Sequence, residues 1–179
     1  MARRLAEQGS PGSDSGVPRW IAPAAMALAL AALAVSAYLT LDHYTARVTL
    51  ACTDTGIVNC AKVTTSSYSK LAGVPLPVIG LAYFLLMLVL DLPAAWRSRN
   101  PGLRAGRLAA ALGGVGFALY LVAVELLSLD AICLWCSVVH ALTLALFAVV
   151  ALGTALTGVE VVTRPGTAQR PAPPRNQPG

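Results

Sequence analysis

The sequence predicts an all-α membrane protein, a four-transmembrane-helix bundle with a long outer loop between helices 1 and 2. Three observations carry this prediction. The chain is 56% hydrophobic and only 12% charged over 179 residues, where soluble domains average about 25% charged residues. Its apolar residues fall into four runs, each near the ~20 residues that a helix needs to cross a bilayer. Its basic residues gather beside alternate ends of these runs. The net charge of +5 does not point to nucleic acid, because no basic segment interleaved with aromatics is present.

The first helix is expected over about 20–41, the run IAPAAMALALAALAVSAYLTL. The second is expected over 77–96, the third over 106–129 and the fourth over 132–156, with an outer loop over 42–76. Asp91 and Glu125 fall near the ends of the second and third runs, where charge costs least. Residues 1–18 are rich in Gly, Ser, Pro and charge, and the end of the chain is rich in Pro, Arg and Gln. Neither composition can build a core, so 1–18 and 159–179 are expected to be disordered tails flanking one membrane domain over 19–158. Arg3, Arg4 and the Ala-Val-Ser-Ala at 34–37 resemble a cleavable signal peptide. The apolar run continues past that site to Leu41, which favours a retained span.

Orientation follows from the basic residues near the span ends. Arg3, Arg4, Arg19, Arg97, Arg99, Arg104, Arg107, Arg164, Arg170 and Arg175 belong to one side. Of the 13 lysines and arginines only Arg47, Lys62 and Lys70 remain, all in the 42–76 loop. Both termini are therefore expected in the cytoplasm, with the loop and the turn near 129–131 outside.

That topology puts all four cysteines on the outer side. Cys52 and Cys60 lie in the loop; Cys133 and Cys136 form a Cys-Leu-Trp-Cys motif at the start of the fourth run. Disulfides persist in that compartment, whereas cytosolic thiols stay reduced. A lone cysteine in a membrane helix reads as a small apolar residue, but two close pairs on one side do not. A bracing disulfide is a fair reading of Cys52 and Cys60 and a poor one of Cys133 and Cys136. A two-residue spacer at a helix start closes a tight ring, and tight disulfides are the labile ones. The first thiol there also meets the helix dipole, which favours a thiolate. Covalent haem needs a histidine directly after the second cysteine, where Ser137 stands. Paired zinc-ligand spacing is missing, so no metal is expected. The two pairs suggest a relay that passes electrons by disulfide exchange.

Cys133, Cys136, His140, Thr143 and Phe147 follow helical spacing and share one face of the fourth helix. A polar and aromatic face below a redox cysteine suits an aromatic ring acceptor. An ionisable residue such as His140 inside a span is a functional hypothesis by default.

Four stretches together resemble the bacterial homologues of vitamin K epoxide reductase. They are SAYLTLDHYT from 36, the Cys-x7-Cys at 52–60, KVTTSSYSKLAGVPLPVIGLAYF at 62–84 and ELLSLDAICLWC at 125–136. The DsbB family also has four spans and two cysteine pairs, but its Cys-x-x-Cys comes in the first outer loop. The resemblance implies a helix bundle around a quinone, such as menaquinone or ubiquinone. By that analogy Cys136 faces the quinone, Cys133 exchanges with Cys60, and Cys52 meets a soluble thiol partner. Ser66 matches a family serine capping the quinone pocket, and His140 stands where human-type enzymes carry tyrosine. Ser67 stands where the family often has a proline.

The expectation is a membrane thiol–disulfide oxidoreductase of a bacterial plasma membrane that passes electrons from a thioredoxin-like (DsbA-like) protein to the quinone. The tail after Leu156 is too short for a fused thioredoxin-like domain, so the partner is expected to be a separate protein. Two other readings stay open: a non-catalytic scaffold with structural disulfides, and a quinone or vitamin K epoxide reductase serving quinone recycling.

Overall fold

The computed structural model describes residues 18–45, 52, 56–98 and 100–163, the last seven as backbone only. Most of both expected tails lies outside these residues, as do Arg3, Arg4, Arg47, Arg99, Arg164, Arg170 and Arg175. In chain order the elements are α1 (Ile21–Thr45), α2 (Cys60–Thr64), a 3-10 turn (Ser67–Ser69), β1 (Lys70–Leu71) and β2 (Val74–Pro75). Then follow α3 (Leu76–Leu90), α4 (Pro93–Arg97), α5 (Pro101–Leu127) and α6 (Leu134–Thr163). Among the described residues three helices are long and apolar enough to cross a membrane: Ile21–Thr45, Pro101–Leu127 and Leu134–Leu156.

The second expected span does not form as one helix. α3 has 15 residues, about 22 Å at 1.5 Å per residue, against a hydrocarbon core of about 30 Å. The cause is Pro93. The residue before a proline is pushed out of the helical region, and Leu92 is accordingly extended, with φ −55° and ψ 142°. The apolar run continues through this break into α4, so hydropathy alone joined the two pieces. α5 begins at Pro101, earlier than expected, under a cap in which the Asn100 side chain accepts the Gly102 N–H. α6 continues to Thr163, past the end expected near 156.

α1 packs against both α3 and α6, and α5 against α6, while α3 and α5 approach each other far less. Small residues on α1 permit the close contacts: Ala25, Ala29 and Ala32 are fully buried at helical spacing, with Ser36 and Leu39 continuing the stripe. A Cβ on Gly80 of α3 would stand 3.0 Å from the Ser36 hydroxyl oxygen, so the small residue lets the helices close up. The core is completed by Phe84 and Met87 of α3, and by Leu146 and Val150 of α6.

α4 folds back under one end of the bundle. Trp96 is buried there, and the Arg107 guanidinium lies 3.4 Å from the centre of its ring. Arg107 also donates to the Leu90 carbonyl at 3.3 Å, satisfying one of the acceptors that a helix C-terminus leaves open. Asp91 was placed near the interface by its position in the sequence; it is completely buried and attracts Arg107. At the opposite end, β1 and β2 form a short antiparallel hairpin that leads into α3. Its turn residues Ala72 and Gly73 both have positive φ, the conformation that matches a tight hairpin's twist.

Candidate functional site

Both cysteine pairs lie at the end of the bundle where α1 finishes, α3 starts and α5 hands over to α6. Disulfides join Cys52 to Cys60 and Cys133 to Cys136, with Cα–Cα distances of 6.1 and 5.2 Å. Cys60 opens α2, whose N-terminus is capped by the Asn59 side chain accepting the Lys62 N–H at 2.7 Å. Cys133 directly precedes α6.

A parallel bridge between Val58 and Ile132 brings the two pairs together. Asn59 donates its N–H to the Ile132 carbonyl at 3.1 Å, and Ile132 donates to the Ile57 carbonyl at 2.9 Å. These bonds lay the segment before Cys60 alongside the segment before Cys133. Cys60 and Cys133 are both sealed from solvent, while Cys52 and Cys136 are only half-buried. The buried member of each pair is thus the one next to the bridge.

The start of α6 is held from three directions. Glu125 of α5 accepts the Cys133 N–H on Oε2 at 3.3 Å, and its carbonyl accepts the Ala131 N–H at 3.2 Å. Ser137 donates its hydroxyl to the Cys133 carbonyl at 3.0 Å. The Trp135 ring, between the two cysteines, packs on Tyr38 of α1 with centroids 5.1 Å apart. Asp130, in the turn, takes a φ of +46°, a left-handed position that Asp tolerates better than most side chains.

Cys136 lines a cavity of about 1080 Å³ that runs between α3 and α5, the helix pair that packs least. His140 and Thr143 continue down the same wall from Cys136, and Ser66 and Lys70 contribute from the segment before α3. Cys133 is not on this wall, and Phe147, the last residue of the expected stripe, packs against the apolar core instead. The Ser66 hydroxyl donates to the Val63 carbonyl at 2.8 Å, leaving its lone pairs toward other donors. His140 is buried, and its Nδ1 has no hydrogen-bond partner among the described residues. A buried polar atom without a partner is costly, and the His140 residue as a whole borders the cavity.

Sequence reasoning missed Tyr83 and Gly114. Tyr83 crosses from α3 to donate to the Ala110 carbonyl of α5 at 3.2 Å, and Gly114 leaves the space its ring fills. The paired Gly113 and Gly114 within an apolar run were the available signal of a close approach. Among the described residues no group of three or more His, Cys, Asp or Glu side chains could hold a metal ion.

The family model described as the Vitamin K epoxide reductase family matches residues 23–151, which takes in every element from α1 through most of α6. No curated protein matches the chain.

Proposed function

Because the chain belongs to the vitamin K epoxide reductase family, we propose that it is a membrane oxidoreductase that generates disulfides, moving electrons from a secreted thioredoxin-like protein through its two cysteine pairs to a membrane quinone. One observation above all supports this reading. The Val58–Ile132 bridge sets Cys60 beside the segment that carries Cys133, while Cys136 faces an apolar cavity. An entry pair, a handover point and an acceptor pocket therefore lie in series.

Electrons enter when a thiolate of the donor protein attacks the half-buried Cys52 and breaks the Cys52–Cys60 bond. The donor's second thiolate then attacks its own partner sulfur, so the donor leaves oxidised and Cys52 is freed. The Cys60 thiolate attacks the Cys133 sulfur, and Cys136 departs as a thiolate. Cys52 closes back onto Cys60, releasing Cys133, and the two protons given up by the donor's thiols are balanced by protonation of Cys133 and Cys136. Two electrons now rest on the Cys133–Cys136 pair, and closing that bond gives them up on the cavity wall. Each exchange needs a thiolate within reach of a sulfur, and the bridge, which lays the two segments side by side, supports the middle step.

A menaquinone- or ubiquinone-type ring supplies the two-electron acceptor when bound. The lining fits it: largely apolar walls, with Ser66 and His140 as the polar groups to meet ring oxygens. Cys136 is the thiol closest in role to the ring. In the same reading the chain lies in a bacterial plasma membrane, with both termini cytoplasmic and the cysteines outside.

The test is quinone reduction by the purified protein with a reduced thioredoxin-like donor. Cys133→Ala and Cys136→Ala each abolish it, and normal turnover in either variant ends the relay reading. Cys52→Ala blocks electrons from the protein donor while a small dithiol still bypasses it. A scaffold with structural disulfides instead keeps all four cysteines oxidised in cells whatever the quinone supply, which thiol trapping detects.

A further inference from the structure

We propose that Glu125 is the positioning residue of the Cys133–Cys136 pair, anchoring Cys133 and carrying the proton of its thiol into the cavity when that bond closes. The proposal rests on the thiol–disulfide reading above. It starts from burial: Glu125 is only 5% exposed although it lies near the end of a helix, and a carboxyl enclosed by protein is costly unless it is hydrogen-bonded or paired. Its Oε2 accepts the Cys133 N–H at 3.3 Å, across the gap from α5 to α6. That N–H belongs to the residue just before α6, so the carboxyl completes a helix start from outside the helix.

Bracing alone would explain this hydrogen bond. It does not explain why the same side chain also lines the cavity, together with Cys136 and His140. Cys133 is fully buried and does not reach that wall. Glu125 therefore touches the backbone of the residue bearing the enclosed thiol and also borders the acceptor's space.

The chemistry requires such a carrier. Closing the Cys133–Cys136 bond converts two thiols into one disulfide and releases two electrons and two protons. Both electrons and both protons go to the quinone-class acceptor. Cys136 delivers its proton directly into the cavity it lines, but the Cys133 proton has no such route. The Glu125 carboxylate takes it as the Cys133 sulfur bonds to the Cys136 sulfur. It then releases the proton into the cavity and is again a carboxylate. The other groups that titrate along this cavity are Asp42 and His43 from α1, Tyr68 and Lys70 from the segment before α3, Tyr83 from α3 and His140 from α6.

Glu125→Gln keeps an oxygen for the Cys133 amide and removes the ability to carry a proton. Two measurements on the solubilised full-length chain separate anchoring from proton transfer. In the first, quinone-free protein reduced with dithiothreitol is alkylated with iodoacetamide across the neutral to alkaline range, and Cys133 is followed by mass spectrometry. In the second, turnover is followed with dithiothreitol and a short-chain benzoquinone. Turnover is expected to fall about a hundredfold, within the usual range for a lost acid–base group. Cys133 alkylation is expected to rise about tenfold, the equivalent of one unit in thiol ionisation, because a negative charge beside the thiol has gone. Unchanged turnover overturns the proposal, and so does alkylation that is unchanged or slower, which is the mark of a brace alone. Failure of the underlying reading is visible separately. Wild-type protein then reduces no benzoquinone, while the alkylation profile still decides whether Glu125 acts on Cys133.

Discussion

The hydroxyl of Tyr83 occupies the space where a side chain on Gly114 would stand, and from there it donates to the Ala110 carbonyl at 3.2 Å. α3 and α5 have few other contacts, so this link sets how far apart they stand along the cavity. Gly114→Ala forces the ring out and breaks the bond. Overpacking of this kind costs about 1–3 kcal/mol, which thermal unfolding in detergent should register as a lower midpoint. Tyr83→Phe loses only the hydrogen bond, about 1 kcal/mol, and should unfold at a temperature between Gly114→Ala and wild type.

The bridge between Val58 and Ile132 makes a prediction about trapping. In a Cys52→Ala, Cys136→Ala background the remaining Cys60 and Cys133 should form a disulfide with each other, detectable by peptide mapping without reduction. Adding Ile132→Pro removes the N–H that reaches the Ile57 carbonyl. The yield of the Cys60–Cys133 crosslink should then drop severalfold. An undiminished yield means that the bridge does not position the two sulfurs.

Arg107 answers three groups at once: the Trp96 ring, the Leu90 carbonyl and the buried Asp91. Arg107→Leu loses the charged hydrogen bond to the Leu90 carbonyl, about 1.5–3 kcal/mol, and the attraction on the buried Asp91 carboxyl. Thermal stability should fall sharply, and Asp91→Leu in the same chain should recover much of it. Quinone reduction per folded molecule should be unaffected, since this cluster lies at the end of the bundle away from the cysteines.

His140 tests the acceptor pocket. The residue lines the same cavity as Cys136. His140→Leu should raise the KM for a short-chain quinone about tenfold, the equivalent of one hydrogen bond of about 1.4 kcal/mol. Alkylation of the reduced Cys133–Cys136 pair should be unchanged in that variant. A KM equal to wild type removes His140 from the pocket.

Much of this was legible from local features. Hydropathy located α1, α5 and α6, and the Cys-x-x-Cys spacing placed one sulfur just before a helix and the other in its first turn. Helical spacing also put Cys136, His140 and Thr143 on one face. Phe147, farther along, packs against the apolar core, because periodicity describes a face without describing what that face meets. The second expected run breaks into two helices for a related reason. Leu92, Pro93 and Trp96 are apolar and so extend a hydropathy run, but backbone sterics at Pro93 end the helix inside it. Asp91 near the end of a run looked like an interfacial charge, and only the returning α4 and the distant Arg107 bury it.

The sequence by itself determined the helical membrane character, the presence of two close cysteine pairs and the family, since composition, period and spacing are properties of neighbouring residues. Tertiary structure decided that the segments before Cys60 and Cys133 lie side by side, that Cys136 borders the cavity, and that Glu125 ties down Cys133. Those relations join positions such as 58 and 132, or 83 and 114, which come together only when helices pack. Packing depends on side-chain volume and on backbone hydrogen bonds between distant segments, and no local pattern in the chain records either.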